Sequence, residues 1–213
     1  MINAAAVAAT PTLTGERIRL VPLGPQHSDA VFESLSDPES ARLTGTHRTF
    51  TRAEIDAYCA SRAEQDDRLD WAIEDAVTGR YAGGISVNDI DADNETGGFR
   101  IDLVESYRGR GIGPEAVALM LGYLFDEVGL HRVGLEVYAF NPRAQRSYEK
   151  AGFVVEGRLP EALLWDGERV DTILMGQLRS DWQARRARRA GQTGDERGPE
   201  ASSTSSVQRA RPG

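Results

Sequence analysis

Short apolar segments of two kinds follow one another along the first 180 or so residues of the chain. Seven of them alternate apolar and polar positions, or run apolar for a few residues, which is typical of β-strands. These predicted strands cover residues 15–23, 69–74, 81–87, 97–104, 131–140, 153–158 and 165–175. Apolar positions at helical spacing predict helices over residues 29–35, 51–62, 117–128 and 141–152, whereas residues 42–50 have no clear period and predict a loop.

The spacing of these elements predicts a mixed α/β fold. Short turns connect the predicted strands within residues 69–104, so we expect an antiparallel meander there. The strand at 97–104, the helix at 117–128 and the strand at 131–140 form a strand–helix–strand unit, which implies a right-handed crossover and a parallel pair. The last two strands predict a closing hairpin that turns at residues 165–168.

A glycine-rich turn joins the fourth predicted strand to the helix that follows it. Gly109, Gly111 and Gly113 occupy alternate positions and let the backbone bend tightly, with no Cβ to block an approaching ligand. The first amides of the helix lack partners within it, and the helix dipole favours negative charge at this end. Arg108 and Arg110 add positive charge and several hydrogen-bond donors. The turn therefore predicts a binding site for a pyrophosphate.

Two common phosphate-binding motifs do not fit this turn. A nucleotide-hydrolase loop ends in Gly-Lys-Ser/Thr, but the only lysine of the chain is Lys150. A dinucleotide fingerprint needs G-x-G-x-x-G, and neither Gly109 nor Gly111 begins one. The pattern present is Arg-x-x-Gly-x-Gly, at Arg108, Gly111 and Gly113. Taken alone, this pattern also occurs in solvated loops.

A second motif, further along the chain, favours one family. Residues 141–153 have the sequence Asn-Pro-Arg-Ala-Gln-Arg-Ser-Tyr-Glu-Lys-Ala-Gly-Phe and fit N-x-x-A-x-x-x-Y-x-K-x-G-F. This motif follows the glycine-rich turn at the spacing found in one family. Together the two motifs resemble the signature of the GNAT superfamily of acyl-coenzyme A-dependent N-acyltransferases. The resemblance covers about residues 13–178. The last hairpin is similar to the branch that holds the ribosomal-protein N-terminal and the spermidine acetyltransferases.

The resemblance implies both a fold and a place for acetyl-CoA. The fourth and fifth strands of a mixed central sheet, with helices on both faces, should splay apart and leave a V-shaped cleft. The pantetheine arm should pair with the backbone in this cleft, and the pyrophosphate should sit on the amides of the glycine-rich turn. Asn141 should contact the pantetheine arm, cap a helix, or do both. The cofactor-binding residues that the resemblance implies are Leu103, Val104, Arg108, Gly109, Arg110, Gly111, Ile112, Gly113, Asn141 and Ser147.

The chemistry that the resemblance implies is direct attack of an amine on the thioester. An amine is mostly protonated near neutral pH and must lose a proton before it attacks. Backbone amides of the fourth strand can stabilise the oxyanion, and both reactants are held in one cleft. Tyr148 corresponds to the tyrosine that faces the coenzyme sulfur, where it can donate a proton to the departing thiolate. The alternative for Tyr148 is an aromatic residue packed on an amphipathic helix.

The general base is the part of the family pattern that this chain lacks. Spermidine and ribosomal-protein acetyltransferases often carry a glutamate at the position of Gly98. Asp102 has the same strand parity as residue 98 and can face the same side, so it is the candidate catalytic base. Glu95 is an alternative that a water chain can reach. Ala144, a serine in many ribosomal-protein acetyltransferases, is a further departure from that branch.

Composition limits the remaining possibilities. The chain has 213 residues, enough for one domain with a sizeable core. Cys59 is its only cysteine, so we expect no disulfide framework and no metal site. No apolar run approaches the length that spans a membrane, and the start of the chain lacks a secretory signal, so we expect a cytoplasmic protein.

The two ends of the chain differ from its middle. We predict that residues 1–12 are disordered, that residues 13–182 form the domain, and that residues 183–213 are a short helical extension fraying into disorder. This tail has seven arginines against three acids, a net charge of about +4, whereas the whole chain carries −8. The remainder is therefore acidic at about −12, which should repel nucleic acid and can attract a polycationic molecule. The arginine cluster can still contact nucleic acid or the ribosome, but a solvated tail is favoured.

The function predicted from these observations is an acetyl-CoA-dependent N-acetyltransferase. Its acceptor is a primary amine on a protein N-terminus, a polyamine or a small molecule. An alternative of a different class is a regulatory module that binds an acyl-CoA without turnover. The glycine at position 98 favours that alternative, whereas Tyr148 and the intact glycine-rich turn oppose it. We expect no membrane or nucleic-acid partner, and a homodimer remains open.

Overall fold

The computed structural model describes residues 1–195, which form a mixed sheet with helices on both faces. The eight strands of this part of the chain are β1 Leu13–Thr14, β2 Ile18–Pro22, β3 Leu69–Asp75, β4 Tyr81–Asp91, β5 Thr96–Leu103, β6 Arg132–Tyr138, β7 Val154–Trp165 and β8 Glu168–Leu178. Their order in the sheet is β1-β2-β3-β4-β5-β6-β8-β7. β5 and β6 are parallel, and every other neighbouring pair is antiparallel. The predicted mixed α/β class is confirmed.

The described chain contains seven helices, four of which the sequence pattern predicts. The seven helices are α1 Ala4–Ala9, α2 Ser28–Leu35, α3 Pro38–Thr44, α4 Arg52–Ser61, α5 Ile112–Tyr123, α6 Pro142–Ala151 and α7 Arg179–Asp195. At the start of α4, Glu54 accepts a hydrogen bond from the amide of Thr51 at 2.8 Å, which completes the predicted capping box. A π-helical turn, Leu124–Val128, extends α5 until Gly129 ends it with a φ of +88°.

Strand alternation divides the buried side chains between the two faces of the sheet. α5 runs along one face together with α1, α6 and α7, and its residues Met120 and Leu121 are at most 1% exposed. α2 and α4 cover the other face, where Val31 and Ile55 pack against Ala72 of β3. Each strand in the middle of the sheet therefore sends side chains into two different layers.

The middle of the sheet opens where β5 and β6 separate. The two strands pair at Thr96–Arg132, Gly97–Val133 and Gly98–Gly134. Beyond Gly98 and Gly134, β5 is paired with β4 and β6 with β8. The predicted splay of the fourth and fifth strands is confirmed, and their facing edges leave main-chain groups free for a ligand.

Residues 1–12, predicted to be disordered, differ from that prediction. They include α1, in which Val7 is 2% exposed and packs into the main core. The amide of Asn3 donates to Val128 O at 2.7 Å, and the hydroxyl of Tyr123 donates to Ala6 O at 2.6 Å. Small apolar side chains let this segment lie close against the end of α5, which a composition rich in alanine does not reveal.

Two further segments contain more helix than the sequence predicts. Residues 42–50 were predicted to be a loop, but α3 extends to Thr44, held at its start by the side chain of Asp37. After Trp182, the expected helical extension continues to residue 195 as α7. Arg185 Nη2 donates to Lys150 O at 2.9 Å, so α7 contacts α6 at this point. The prediction for residues 196–213 lies outside the described residues.

Candidate active site

A cleft of about 830 Å³ opens between the diverging strands β5 and β6. It passes through the sheet, because consecutive β5 residues whose side chains face opposite layers both line it. The predicted site residues that line it are Asp102, Leu103, Arg108, Gly109, Gly111, Gly113, Asn141, Ser147 and Tyr148. Val104, Arg110 and Ile112 do not line it: the first two line a neighbouring cavity of about 620 Å³, and Ile112 is buried.

The glycine-rich turn presents a series of main-chain amides at one end of this cleft. Gly109 and Gly111 have φ angles of +80° and +78°, which glycine alone adopts readily. Within residues 1–195, no main-chain acceptor pairs with the amides of residues 109–113. These amides precede or begin α5, which starts at Ile112. A bend of this kind suits an anion, so the residues present fit the predicted pyrophosphate site.

The side chain of Arg108 is directed to α3 and not to the turn. Its Nη2 donates to Asp37 Oδ2 at 2.8 Å and to Ser40 Oγ at 2.6 Å, and its Nε donates to Leu103 O at 2.9 Å. Its main-chain amide donates to Glu105 O at 3.1 Å. With both groups engaged, Arg108 does not fit its predicted role as a phosphate ligand. The reason is the start of α3, which the sequence pattern did not reveal.

Main-chain direction separates Leu103 from Val104. The amide of Val104 donates to Ala82 O of β4 at 3.0 Å, so the main-chain groups of Val104 face away from the cleft. Because direction alternates along a strand, those of Leu103 and Ile101 face the cleft edge. The predicted pairing of the pantetheine arm therefore fits the amide of Leu103, whose carbonyl already accepts from Arg108 Nε, and does not fit Val104.

Two arginines outside the predicted site lie over the glycine-rich turn. A Cβ added at Gly109 would stand 3.1 Å from Arg143 Nη2, and one added at Gly111 would stand 2.8 Å from Arg17 Nη1. Arg17 also donates through Nη1 to Arg110 O at 3.1 Å. It reaches the turn from a position 93 residues earlier in the chain, so no local pattern predicts the contact. Arg143 lies within the second motif, where its charge was the one available signal.

α6 forms one wall of the cleft. The side chain of Asn141 accepts a hydrogen bond from the amide three residues later at 3.1 Å, so its role as a helix cap is present. Its predicted contact with a pantetheine arm stays a prediction, as does any contact of Ser147. Arg143, Arg146 and Lys150 also line the cleft, and their spacing places them along one side of α6. This side adds positive charge next to the turn.

Tyr148 lies on α6, on the face of the sheet that α5 covers. Its ring packs edge-on against Phe99 with 5.8 Å between ring centroids, and it lies 6.2 Å from the ring of Phe153. Burial raises the pKa of Tyr148 to about 12, so the hydroxyl keeps its proton throughout the neutral range. Tyr148 is thus a packed aromatic residue that also lines the cleft.

Asp102 enters the cleft from the opposite layer. Its Oδ2 accepts a hydrogen bond from Ser34 Oγ at 3.1 Å. Burial raises the pKa of Asp102 to about 6, although hydrogen bonds from Ser34 and from the Gly84 amide, and the charge of Arg108, act in the other direction. A carboxyl with this pKa is mostly ionised at neutral pH and is a stronger base than an ordinary aspartate.

The other candidate base, Glu95, does not belong to the cleft. Its carboxylate pairs with the amino group of Met1, and Glu95 is not among the described residues that line the cavity. Asp89, which the sequence did not single out, does line it. Asp89 has a φ of +53° in an irregular part of β4, and its Oδ2 is 4.0 Å from the place of a Cβ at Gly98. A second carboxylate thus lies beside the position where a glutamate was expected.

Two further tests concern metals and membranes. In the portion of the chain that the structure covers, no three His, Cys, Asp or Glu side chains are grouped to hold a metal ion. Over the same residues, no helix combines the length and apolar character needed to cross a membrane.

The splayed sheet, the glycine-rich turn and the tyrosine in the cleft together define a class. Residues 17–154 match the family described as acetyltransferase (GNAT) domain. This match spans more than half of the chain, so the chain belongs to the GNAT acetyltransferase family. It is an acyl-CoA N-acetyltransferase.

Individual relatives agree with this assignment. The chain is 28% identical over 170 residues to an uncharacterised prophage-derived N-acetyltransferase of Bacillus subtilis, covering 80% of this chain and 94% of the relative. It is 30% identical over 112 residues to a spermidine N(1)-acetyltransferase of Vibrio cholerae, covering 53% and 64%.

Solved structures share the fold. The spermidine N-acetyltransferase of Vibrio cholerae in complex with CoA and spermine has a TM-score of 0.75 at 21% identity, over 79% of this chain and 99% of that one. A GCN5-related N-acetyltransferase from Brucella melitensis has a TM-score of 0.70 at 28% identity, over 82% and 81%.

Proposed function

We propose that this chain transfers the acetyl group of acetyl-CoA to a primary amine, which attacks the thioester directly in the cleft between β5 and β6. One observation carries the proposal. The unpaired amides of residues 109–113 lie at one end of the cleft, while Tyr148 and Asp102 reach it from opposite layers of the sheet. An anion site, a proton donor and a proton acceptor around one opening are the groups that this reaction needs.

Support for the donor comes from the turn and from α6. The amides of residues 109–113 can hold the pyrophosphate, and Arg143 with its neighbours on α6 adds positive charge beside it. The cleft-facing main chain of Ile101 and the amide of Leu103 can pair with the pantetheine arm as a neighbouring strand does. Acetyl-CoA, when bound, supplies a carbonyl activated as a thioester.

The proton transfers follow from the two side chains. Asp102 accepts the proton that the attacking ammonium must lose, and a pKa of about 6 keeps it ionised at neutral pH. The new carbon–nitrogen bond forms first, and the carbon–sulfur bond then breaks with its electron pair going to sulfur. The nitrogen loses its second proton in this step, and the thiolate takes up one proton to leave as the free thiol. Tyr148 donates a hydrogen bond to the departing sulfur. Because its pKa of about 12 exceeds that of a thiol, donation is favoured over complete proton transfer.

The part of the cleft that Asp102 enters, which we call the acceptor side, favours an amine with further positive charge. Asp89, Asp102 and Glu136 line this side of the cleft, although Arg100 makes the charge mixed. The names of the relatives include spermidine acetyltransferase and a putative ribosomal N-acetyltransferase. We therefore propose a polyamine-like amine first and a protein N-terminus as the alternative acceptor.

An acceptor screen tests this proposal. The protein is incubated with acetyl-CoA and a panel of polyamines, N-terminal peptides and amine-bearing antibiotics, and the release of free thiol is followed together with the mass of the product. We expect release that depends on an amine, with one acetyl group added to it. In Tyr148→Phe, kcat should fall roughly 10- to 100-fold while CoA binding by calorimetry stays within about twofold. CoA binding without thiol release on any amine would contradict the proposal and identify a sensor.

A further inference from the structure

α3 lies across the acceptor-side opening between β5 and β6. Its first turn is held at the β5 side, because Asp37 and Ser40 both receive hydrogen bonds from Arg108, which follows β5. Three of its residues, Ser40, Leu43 and Thr44, line the cleft. α3 is therefore a wall of the cleft as well as a link between two parts of the fold.

The far end of α3 is held at the β6 side. Gly45 ends the helix with a φ of +64°, and its Cα lies so close to the hydroxyl of Tyr138 on β6 that a Cβ could not be accommodated. The guanidinium of Arg42 lies 4.3 Å from the ring centroid of Phe140, two residues beyond the end of β6. One short helix thus touches both arms of the V.

The contact at the β5 side is partly shielded from water. The side chains of Arg108 and Asp37 are 18% and 33% exposed, so their attraction is screened less than in a surface ion pair. Asp37 also accepts from the amides of Glu39 and Ser40 at 3.1 and 3.2 Å. Although burial acts to raise it, the pKa of Asp37 is lowered by the hydrogen bonds from Arg108 and Ser40. Asp37 therefore stays ionised and couples the start of α3 to Arg108.

We propose that Arg108 is a positioning residue for the acceptor. It holds α3 in place between β5 and β6, and α3 sets the width of the amine-binding side of the cleft. Arg108 acts on the position of the amine through Asp37 and Ser40, in addition to lowering the pKa of Asp102 by its charge, and not on the phosphates of the donor. This role rests on the proposed transfer to an amine. It accounts for an arginine in the glycine-rich motif whose side chain and amide are both engaged elsewhere.

Two matched variants test whether Arg108 holds α3 in this position. Arg108→Gln removes the charge, and Asp37→Asn removes the charge of its partner while keeping a side chain that caps a helix well. Asp126→Asn is the control, because Asp126 pairs with Arg186 over the same 2.8 Å on the other face of the sheet. Three quantities are measured: the KM for the amine ranked first in the screen, the Kd for CoA, and hydrogen exchange of the amides of residues 40–44.

We expect Arg108→Gln and Asp37→Asn to raise the amine KM about tenfold each, the double variant to raise it no further, and exchange at residues 40–44 to quicken about tenfold. The Kd for CoA should stay within about twofold, and Asp126→Asn should match the wild type. A tenfold weaker Kd for CoA in Arg108→Gln with no effect of Asp37→Asn would overturn the proposal. Unchanged exchange in both variants would also overturn it, even if no amine in the screen were acetylated.

Discussion

Ser34 of α2 donates a hydrogen bond from its Oγ to Oδ2 of Asp102 on β5, over 3.1 Å. The bond crosses from the helical layer to the edge of the cleft and joins residues 68 positions apart in the chain. It favours the ionised form of a carboxyl whose pKa is raised by burial. The hydroxyl of Ser34 therefore adjusts the proposed base without facing the substrate itself.

Removal of this hydroxyl should change the pH dependence of the reaction. In Ser34→Ala the pKa of Asp102 should rise above about 6, because burial is opposed by one hydrogen bond fewer. The acidic limb of kcat/KM should move to higher pH by roughly one unit, with the plateau within about twofold. Ser36→Ala, which removes an exposed hydroxyl bonded to Phe32 O, is the control and should leave the limb in place. An unshifted limb in Ser34→Ala would exclude Asp102 as the group that titrates.

Asp102 should reduce stability at the pH where it is active. Its pKa in the folded protein, about 6, lies above the ordinary value of 3.8, so the folded state binds this proton more tightly than the unfolded state. The stability associated with the protonated carboxyl is complete below about pH 4 and is lost as the pH rises through 6. Asp102→Asn should therefore raise Tm at pH 8 relative to wild type and change it little at pH 4.

The same variant should lose activity, with kcat/KM about 100-fold lower at pH 8. Thermal unfolding at the two pH values and steady-state rates check the two halves of the prediction. A variant that is less stable at pH 8 than wild type would show that the carboxylate has a mainly structural role.

The positive φ of Gly109 allows a controlled test of the anion site. Gly109→Ala and Gly167→Ala place a side chain at nearly equal φ angles, +80° and +82°, so each should cost about 1 kcal/mol of stability. No atom lies within 4 Å of a Cβ at Gly167, which is in the β7–β8 turn. Only Gly109→Ala should turn the amides of residues 109–113 and weaken the Kd for CoA about tenfold. Equal affinities in the two variants would contradict the proposed pyrophosphate site.

The open space at Gly98 allows a gain of function. A Cβ there would be 3.8 Å from its nearest neighbour, Asn88 O, so the Cβ of a new side chain fits without rearrangement. In the Asp102→Asn background, Gly98→Glu should restore kcat/KM about tenfold, because it places a carboxylate on the same side of β5. Gly98→Gln is the matched control and should restore nothing. Equal rates with Glu and Gln would show that a base at this position cannot serve the reaction.

The sequence predicted the parts of the site that depend on local pattern. The strand–turn–helix unit around Gly109 and the capped helix beginning at Asn141 are present, because glycine spacing and capping residues act within a few positions. Asp102, singled out through strand parity, and Tyr148, singled out through the family motif, both line the cleft, and their catalytic roles stay predictions.

The parts that failed depend on contacts between distant segments. The direction of the Arg108 side chain follows from Asp37, 71 residues earlier, and the position of Arg17 over the turn follows from the bend between β1 and β2 at the start of the chain. Asp89 depends on an irregular register in β4, which periodicity does not encode. α1 escaped because an alanine-rich segment has little pattern to distinguish a packed helix from a disordered end.

The short pairing between β5 and β6 leaves the two halves of the sheet weakly connected. Three residue pairs and the flanking helices join its two halves, and past Gly134 the hydrogen-bonding ladder is interrupted. A ligand whose own amides form hydrogen bonds across that gap would link the two halves of the sheet. At a ligand concentration of 100 times its Kd, the free energy of unfolding should therefore rise by about 2.7 kcal/mol. The bound donor substrate then stabilises the fold of the enzyme, and Tm should rise with the concentration of the donor.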